Sequence, residues 1–258
     1  MSAMSPAAEP LLRALRYLLR LPLLAWHLLV HLPITLLLIA LGEVGGRRLD
    51  HLALRWWASG LMWVFGLRVR REGQPLAGGT LFVANHVSWI DIVALHSQHM
   101  MGFIAKSAIR GWPVVGWLTT HAETIFHERG SASSLGGVMG QMAARLRAGR
   151  AVAVFPEGGT RDGHALGPFH ARIFTAAVEA DAPVQPVALC YGEGCEAQAI
   201  VAFAKGENFV ANFVRLLGEP SRPARVCFLE PIMHADLDGR RGIAQLARAR
   251  VADAMRAA

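Results

Sequence analysis

A histidine and an aspartate five residues apart form the first group that could do chemistry. His86 and Asp91 lie in the stretch NHVSWID, directly after the apolar run TLFVA and at the start of an apolar helical pattern. Active sites of open α/β sheets lie beyond the carboxyl ends of the strands, and His86 falls at such an end. We expect Ser88 to cap the helix and the Asp91 carboxylate to face back toward the loop. The carboxylate would then hold one ring nitrogen of His86 and leave the other free as a base.

A base without a neighbouring protein nucleophile suits the direct activation of a substrate hydroxyl. The alternative is that Asp91 merely caps the helix and His86 belongs to a turn, because the H-x4-D spacing is a weak motif by itself. The chain contains no G-x-S-x-G motif, which disfavours an α/β-hydrolase.

A second candidate group is a glycine-rich loop that follows the apolar run AVAVF. This loop, Phe155–Gly163, reads FPEGGTRDG. Tight loops of this composition turn backbone N–H groups toward an anion, and Glu157 is suited to bind substrate hydroxyls or to orient an arginine. An ordinary strand-to-helix loop is the alternative. No GK[ST] sequence ends the loop, so it is not a P-loop.

The histidines and cysteines outside these stretches favour neither metal nor disulfide chemistry. His121, His127, His164, His170 and His234 have no zinc-ligand spacing. The three cysteines, Cys190, Cys195 and Cys227, contain no C-x-x-C pair, so we expect reduced residues of the core. We expect no metal and no resident cofactor.

Short β-rich runs alternate with helical patterns after Arg71. The predicted strands are Thr80–Ala84, Gly102–Ala105, Thr124–Phe126, Ala151–Phe155, Val184–Leu189 and Arg225–Leu229. Several are continuously apolar, as expected of strands covered on both faces. Apolar spacing predicts a helix over 135–146 with Gly149 as its C-cap, and a C-terminal helix over 243–251. The alternation predicts an α/β fold with a mixed, largely parallel sheet flanked by helices.

The N-terminal region is apolar enough for a membrane. Leu21 to Gly42 are 22 residues without a formal charge, and a spanning helix needs about 20. We expect a hydrophobic helical membrane anchor, with a core helix or a signal peptide as the alternatives. Both flanks are basic, so the positive-inside rule does not fix the orientation. Pro33 favours a kink, and we expect a kinked or re-entrant hairpin that dips into one leaflet.

A second apolar stretch, Leu54–Leu67, is too short to span a membrane. Its three tryptophans suit an interfacial helix, and a tryptophan-rich core helix is the equal alternative. We therefore assign residues 1–67 to a membrane-anchoring region and residues 68–258 to a catalytic domain. The net charge is +7, and residues 1–75 hold nine arginines against four acidic residues. This distribution favours an anionic lipid surface over nucleic acid.

Four stretches follow one another in the order of a known set of motifs. They are NHVSWID, FHERG at Phe126–Gly130, FPEGGTRDG and VQPVAL at Val184–Leu189. With them, the chain resembles the 1-acylglycerol-3-phosphate acyltransferases, also called lysophospholipid acyltransferases, over roughly residues 68–232. Two further stretches, Lys106–Phe126 and Gly167–Ala177, are similar to the same family.

The resemblance implies a role for each motif. His86 would be the general base that takes the proton of the acceptor hydroxyl, and Asp91 would hold its tautomer. The hydroxyl would attack the thioester of an acyl-CoA or an acyl carrier protein. Pro186 would belong to the acyl-donor side. The substrate-binding residues that the resemblance implies are Lys106, Arg129, Glu157, Gly158, Gly159, Thr160 and Arg161.

Departures from the family pattern bear on the acceptor. Thr160 stands where the family often has arginine, and His170 stands where a basic residue is usual. The form EGGT-R-DG is similar to the branch that includes lyso-ornithine lipid acyltransferases, whose acceptor has no phosphate. Arg129, Arg161 and Arg172 could replace the missing cations. In the second motif, Glu123 stands where a glycine is common.

We therefore expect an O-acyltransferase at the cytoplasmic face of the inner membrane. The first expected acceptor is 1-acyl-sn-glycerol-3-phosphate, giving phosphatidic acid, and lyso-ornithine lipid or another lysolipid is the alternative. A non-catalytic lipid-binding protein is a different class, and the histidine–aspartate pair argues against it because binding needs no base. A hydrolase would instead release fatty acid without an acceptor.

Overall fold

The computed structural model describes residues 8–111, 115–127, 132–233 and 239–257. The helices are α1 (Ala8–Trp26), α2 (Leu32–Leu41), α3 (Leu49–Val64), α4 (Ile90–Gln98), α5 (Val115–His121), α6 (Ala132–Arg147), α7 (Thr175–Ala180), α8 (Gln198–Val201), α9 (Phe209–Leu217) and α10 (Gly239–Arg256). The strands are β1 (Glu43–Val44), β2 (Arg47–Arg48), β3 (Leu67–Glu72), β4 (Leu81–Ala84), β5 (Gly102–Lys106), β6 (Ile125–His127), β7 (Val152–Val154), β8 (Val184–Tyr191) and β9 (Arg222–Phe228).

Seven of these strands form one mixed sheet in the order β3-β9-β8-β4-β7-β5-β6. The β8–β9 pair is antiparallel and every other neighbouring pair is parallel. The predicted fold class is confirmed, and the six predicted strands correspond to β4 through β9. The two predicted helices correspond to α6 and α10, and Gly149 adopts the positive φ of a C-cap after α6.

Strand β3 was not predicted from the sequence. Its residues, LRVRRE, alternate between apolar and charged side chains, and the strand lies at the edge of the sheet. A half-exposed edge strand lacks the continuous apolar run by which the buried strands are recognised.

The centre of the sheet is covered on both faces. All four residues of β4 are buried, and they divide between two hydrophobic clusters. Phe82 packs with Met62 of α3 and Leu95 of α4 on one face, whereas Val83 packs with Met142 of α6 on the other. The carboxyl end of β4, from which the NHVSWID loop departs, is therefore held by helices on both sides.

The N-terminal helix is continuous from Ala8 to Leu41 and is the one described helix long and apolar enough to cross a membrane. The expected reversal at Pro33 is wrong. A π-helical segment at His27–His31 precedes the proline, and the N–H of Leu32 bonds the carbonyl of His27 across this wider turn. The wider spacing accommodates the missing proline N–H without breaking the helix. The chain instead reverses at Gly42–Arg48, through the hairpin β1–β2, so that α3 packs back against α2.

The helix from Ala8 to Leu41 buries several of its polar side chains. Arg20, His27, His31 and Thr35 are buried, and the rings of His27 and His31 contact Trp57 and Trp56 of α3. Its outer surface is formed by large apolar side chains, among them Leu18, Leu29 and Leu37, which are exposed by 70%, 76% and 62%.

Helix α3 agrees in part with both predictions for its tryptophans, the interfacial helix and the core helix. Trp56 and Trp63 are exposed, whereas Trp57 is partly buried against the core. The helix buries Ala58 and Met62 on its inner side. One side of α3 is therefore a core helix and the other an apolar surface.

Cys190 and Cys195 form a disulfide, so the expectation of three reduced cysteines was wrong for this pair. Gly192, Gly194 and Cys195 all have positive φ, and this tight turn brings the two cysteine Cα atoms to 4.6 Å. The turn rather than the spacing determines the pairing. Cys227 is free and buried, as expected.

Candidate active site

His86 and Asp91 form the hydrogen bond that the sequence predicted. The distance from His86 Nδ1 to Asp91 Oδ2 is 2.8 Å. The same carboxylate oxygen accepts the backbone N–H groups of Val87 and Ser88, at 2.7 and 2.9 Å. The Asp91 side chain is fully buried, whereas 15% of the His86 side chain is exposed. The loop thus surrounds the Asp91 carboxylate and leaves the His86 ring partly exposed.

The prediction that Ser88 caps the helix was wrong. Helix α4 begins at Ile90, and its N-cap position has no side-chain hydrogen bond. The Ser88 hydroxyl instead donates to Oδ1 of Asn212 in α9, at 3.1 Å. The Ser88 hydroxyl therefore bonds a residue that is distant in the sequence instead of capping the helix that follows it.

The sequence analysis gave no role of their own to three residues around the pair. The Tyr191 hydroxyl donates to Asp91 Oδ1 at 2.6 Å. The His86 ring stacks on Phe155, with centroids 3.8 Å apart and planes 10° apart. Asn85 exchanges two hydrogen bonds with the backbone of Leu189, which joins the ends of β4 and β8. The carboxyl-end rule that located His86 applies equally to the parallel strand β8, and it could have pointed to Tyr191.

Glu157 ties the two loops together. Its Oε1 accepts the backbone N–H of His86 at 2.9 Å, and its Oε2 accepts the N–H of Gly167 at 2.7 Å. Arg161 approaches Oε2 at 3.4 Å, and its backbone N–H donates to the His86 carbonyl at 2.8 Å. A Cβ at position 167 would lie 2.8 Å from Oε2, so any larger residue there would displace the Glu157 carboxylate from this position. The protein itself therefore engages both oxygens of this carboxylate.

Burial governs the ionisation of two of these groups. It raises the pKa of Glu157 above its ordinary value, against the opposing effect of the amides of Gly167 and His86. Burial also raises the pKa of Tyr191 well above 10, and the adjacent Asp91 raises it further. Tyr191 is therefore a protonated hydroxyl, and hence a donor, at any physiological pH.

A cavity of about 530 Å³, here called the His86 cavity, opens beside the histidine. Its apolar wall includes Phe103, Ile104, Ala105, Met139, Val154, Phe155 and Ile173. Its polar part includes His86, His127, Gly158, Gly159, His170 and Arg172. The cavity therefore offers apolar room for a chain together with backbone amides and basic groups near a base.

Glu157 and Arg161 line a different cavity of about 340 Å³, here called the Arg161 cavity. The predicted site residues thus divide between two cavities: Gly158 and Gly159 join His86, whereas Arg161 does not. Thr160 is exposed and lines neither cavity. Arg129 lies outside the described residues. Lys106 is the last residue of β5, and its side chain is likewise outside the description.

Comparison with known proteins assigns the chain to one class of enzymes. A family model described as acyltransferase matches residues 66–190. A lyso-ornithine lipid O-acyltransferase of Pseudomonas aeruginosa is 36% identical over 184 residues, covering 71% of each chain. A second such enzyme, from Brucella abortus, is 33% identical over 206 residues, covering 73% of this chain and 76% of the other.

A shorter match joins the chain to a related activity. A 1-acyl-sn-glycerol-3-phosphate acyltransferase of Neisseria gonorrhoeae is 40% identical over 126 residues, covering 49% of each chain. The crystal structure of the acyltransferase PlsC from Thermotoga maritima superposes with a TM-score of 0.74 at 19% identity, covering 94% of this chain and 96% of the other. The latter likeness shows a shared fold over nearly the whole chain.

Proposed function

This chain belongs to the lysophospholipid acyltransferase family, and we propose that it transfers a fatty acyl group from an acyl thioester to the free hydroxyl of a lyso-ornithine lipid. The observation that carries the proposal is the position of His86. Its Nδ1 is bound by Asp91 at 2.8 Å, and its ring lines a cavity large enough for an acyl chain.

The hydrogen bond to Asp91 determines which ring nitrogen acts. A neutral ring that donates from Nδ1 carries a lone pair on Nε2. Nε2 takes the proton of the acceptor hydroxyl while the hydroxyl oxygen attacks the thioester carbon. The carbon–sulfur bond then breaks, and the leaving sulfur takes that proton from the imidazolium. The products are an ester and a free thiol, and the base is regenerated.

Glu157 and the glycines assist in different ways. The two hydrogen bonds of Glu157 hold the backbone of His86 against the FPEGG loop, which makes it a positioning residue. Gly158 and Gly159 line the His86 cavity. The N–H of Gly158 donates to the Phe155 carbonyl at 3.1 Å, so Gly159 is the glycine whose backbone N–H suits the stabilisation of the oxyanion that forms during attack.

The first proposed acceptor differs from the one favoured by the sequence alone. The lyso-ornithine relatives align over 71% and 73% of the chain, whereas the gonococcal phosphatidate-forming relative aligns over 49%. Among the described residues, Arg172 is the one arginine that lines the His86 cavity. An ornithine headgroup carries a single carboxylate, which needs fewer fixed cations than a phosphate.

The phosphate acceptor 1-acyl-sn-glycerol-3-phosphate is the second candidate. The 40% identity to the gonococcal enzyme over the shared region favours it. Two histidines, His127 and His170, line the cavity beside Arg172, and an imidazole N–H can donate to a phosphate oxygen.

An acceptor panel tests the proposal. Purified protein in mixed micelles would receive a long-chain acyl-CoA with lyso-ornithine lipid, lysophosphatidic acid or no acceptor, and free thiol and lipid products would be measured. A parallel series would use acyl carrier protein as the donor. We expect ester formation and thiol release only with acceptor, and fastest with lyso-ornithine lipid. A faster reaction with lysophosphatidic acid would select the second candidate, and thiol release without acceptor would indicate a hydrolase.

The His86→Ala variant tests the base in the same assay. General base catalysis contributes about 10²–10⁴-fold, so we expect a rate loss of that order with an unchanged circular dichroism spectrum. His164→Ala, at an exposed histidine of the Arg161 cavity, is the matched control and should retain activity. A His86 variant that kept most of its activity would contradict the assignment.

We also propose that residues 1–67 anchor the catalytic region, residues 68–258, at the cytoplasmic face of the inner membrane. The support is the inverted pattern of the N-terminal helix, because a helix in water exposes its polar face and buries its apolar one. Here Arg20 and Thr35 are buried and leucines are exposed. Acyl-CoA and acyl carrier protein are donors of the cytoplasm, which favours that side.

A further inference from the structure

We propose that Tyr191 is a positioning residue of the acyl transfer, acting through Asp91 to fix the orientation and basicity of His86. This inference rests on the proposed function, in which His86 is the base. Tyr191 lies at the end of β8, beyond the four sequence motifs, and no role follows for it from the motif pattern.

The carboxylate of Asp91 is buried, and hydrogen bonds from four groups of the described residues hold it. Its Oδ2 receives three donors, the His86 ring and the backbone amides of Val87 and Ser88. Its Oδ1 receives the Tyr191 hydroxyl at 2.6 Å, and among the described contacts this is the one hydrogen bond to that oxygen. A buried carboxylate depends strongly on each such bond.

The Tyr191 side chain is itself fixed by its surroundings. It is fully buried, with 1% exposure. Its backbone N–H donates to the side chain of Gln198 at 3.2 Å, and its carbonyl accepts the N–H of Ala197 at 2.9 Å. The disulfide from Cys190 to Cys195 closes the turn around it. These surroundings therefore determine that the Tyr191 hydroxyl points at Asp91.

A donor on Oδ1 draws negative charge away from Oδ2, the oxygen that faces His86. Asp91 therefore stabilises the His86 imidazolium less than it would if Tyr191 did not donate to Oδ1. Removing the hydroxyl should make His86 hold its proton more tightly and should loosen the ring. A more tightly protonated His86 is a poorer base at low pH, so the acid side of the rate profile should move to higher pH.

The other charged or titratable groups around His86 stay the same in this comparison. Glu157 and Arg161 bond its backbone, and His127, His170 and Arg172 line the same cavity. A difference between the wild type and a Tyr191 variant therefore reports the loss of one hydroxyl.

The experiment compares Tyr191→Phe with the wild type in kcat/KM across pH 5 to 9. We expect the acid limb to move upward by about one pH unit, the scale of a hydrogen bond to a charged group, and kcat above that limb to fall because the His86 ring is oriented less firmly. The control is Tyr17→Phe at the only other tyrosine, whose hydroxyl donates to the Val214 carbonyl at the surface. It should leave the profile unchanged.

A second measurement does not depend on turnover. The midpoint of the His86 ring titration, followed by NMR of labelled histidine and assigned with His86→Ala, should rise in Tyr191→Phe. An inactive wild type would defeat the proposed function while the titration still tests the link to Tyr191. If the rate fell in Tyr191→Phe but neither the acid limb of the pH–rate profile nor the midpoint of the His86 titration moved, Tyr191 would have only a structural role. That result would overturn the inference.

Discussion

Two arginines of the site, Arg161 and Arg172, lie in different surroundings and should affect different kinetic constants. Arg172 lines the His86 cavity, so Arg172→Ala should raise KM for an anionic acceptor about tenfold, with a smaller change in kcat.

Arg161 lines the Arg161 cavity and approaches Glu157 at 3.4 Å. Arg161→Ala should lower kcat more than it raises KM, because Glu157 positions the His86 backbone. Steady-state kinetics with the better acceptor measure both, and equal effects on KM would contradict this division.

A buried histidine next to the site makes stability depend on pH. Burial lowers the pKa of His96 to about 4, its ring packs edge-on against Phe103, and its Nδ1 has no partner among the described residues. The unfolded chain binds a proton near pH 6.5, and the folded chain does not until about pH 4. Folding stability should therefore fall as pH drops through this window, by roughly 3 kcal/mol.

The His96→Leu variant isolates this contribution. Urea unfolding in detergent between pH 4.5 and 7.5 should give a shallower dependence of the free energy of unfolding on pH than the wild type. His164→Leu, at an exposed histidine, is the control and should keep the wild-type slope. A slope that His96→Leu leaves unchanged would refute the assignment.

At the level of elements, α9 supports the NHVSWID loop through one buried amide. Asn212 is fully buried and accepts from the Ser88 hydroxyl and from the Trp89 ring N–H. Asn212→Ala leaves these donors unpaired, at about 1–3 kcal/mol each. We expect a lower free energy of unfolding and a lower kcat, because the Ser88 backbone also bonds Asp91.

Asn208, the N-cap of the same helix, provides the matched control. Its side chain accepts the N–H of Ala211 and is exposed. Asn208→Ala should destabilise by about 1 kcal/mol, typical of a lost cap, and should leave kcat unchanged. Equal kcat losses in the two variants would show that α9 stability, rather than the amide contact, governs the loop.

The sequence predicted the elements whose signal is local. Six strands are short β-rich runs between turn residues, and their alternation with helical patterns along the chain predicts the α/β class. Strand β3 was missed because its arginines at an edge break the apolar run. The Ser88 cap was wrong because its partner, Asn212, lies 124 residues away, and short-range preferences carry no information on such a contact.

Within the site, too, the sequence predicted a contact between residues that are close in the chain and did not predict contacts between distant ones. His86, in the loop, and Asp91, in the first turn of α4, are five residues apart, so local sequence was enough to predict the hydrogen bond. Tyr191 reaches Asp91 from 100 residues away, through the pairing of β8 with β4, and Glu157 reaches His86 across 71 residues. The groups that tune the pair therefore depend on sheet order, which periodicity does not determine.

For the molecule as a whole, the path of the N-terminal helix bears on how the protein meets a membrane. Before the apolar run, Arg20 donates to the carbonyls of Leu217 and Glu219 at the end of α9. After it, Arg48 lies 3.9 Å from Glu123, next to α5. Both ends of the run contact the catalytic region. A helix that crosses a bilayer would carry its ends to opposite sides, about 30 Å apart, so these contacts favour a helix lying in one leaflet.

Labelling from one side of the membrane tests this orientation. Cysteines at exposed Glu43, in the turn after the helix, and at exposed His164, in the catalytic region, would be probed with an impermeant maleimide in sealed vesicles. The native background is low, because two cysteines form a disulfide and Cys227 is buried. We expect both positions to react from the same side, since the leucines enter one leaflet while the arginine contacts at each end stay in place. Reaction of Glu43→Cys and His164→Cys from opposite sides would mean that the helix crosses the bilayer and that the Arg48–Glu123 contact breaks on insertion.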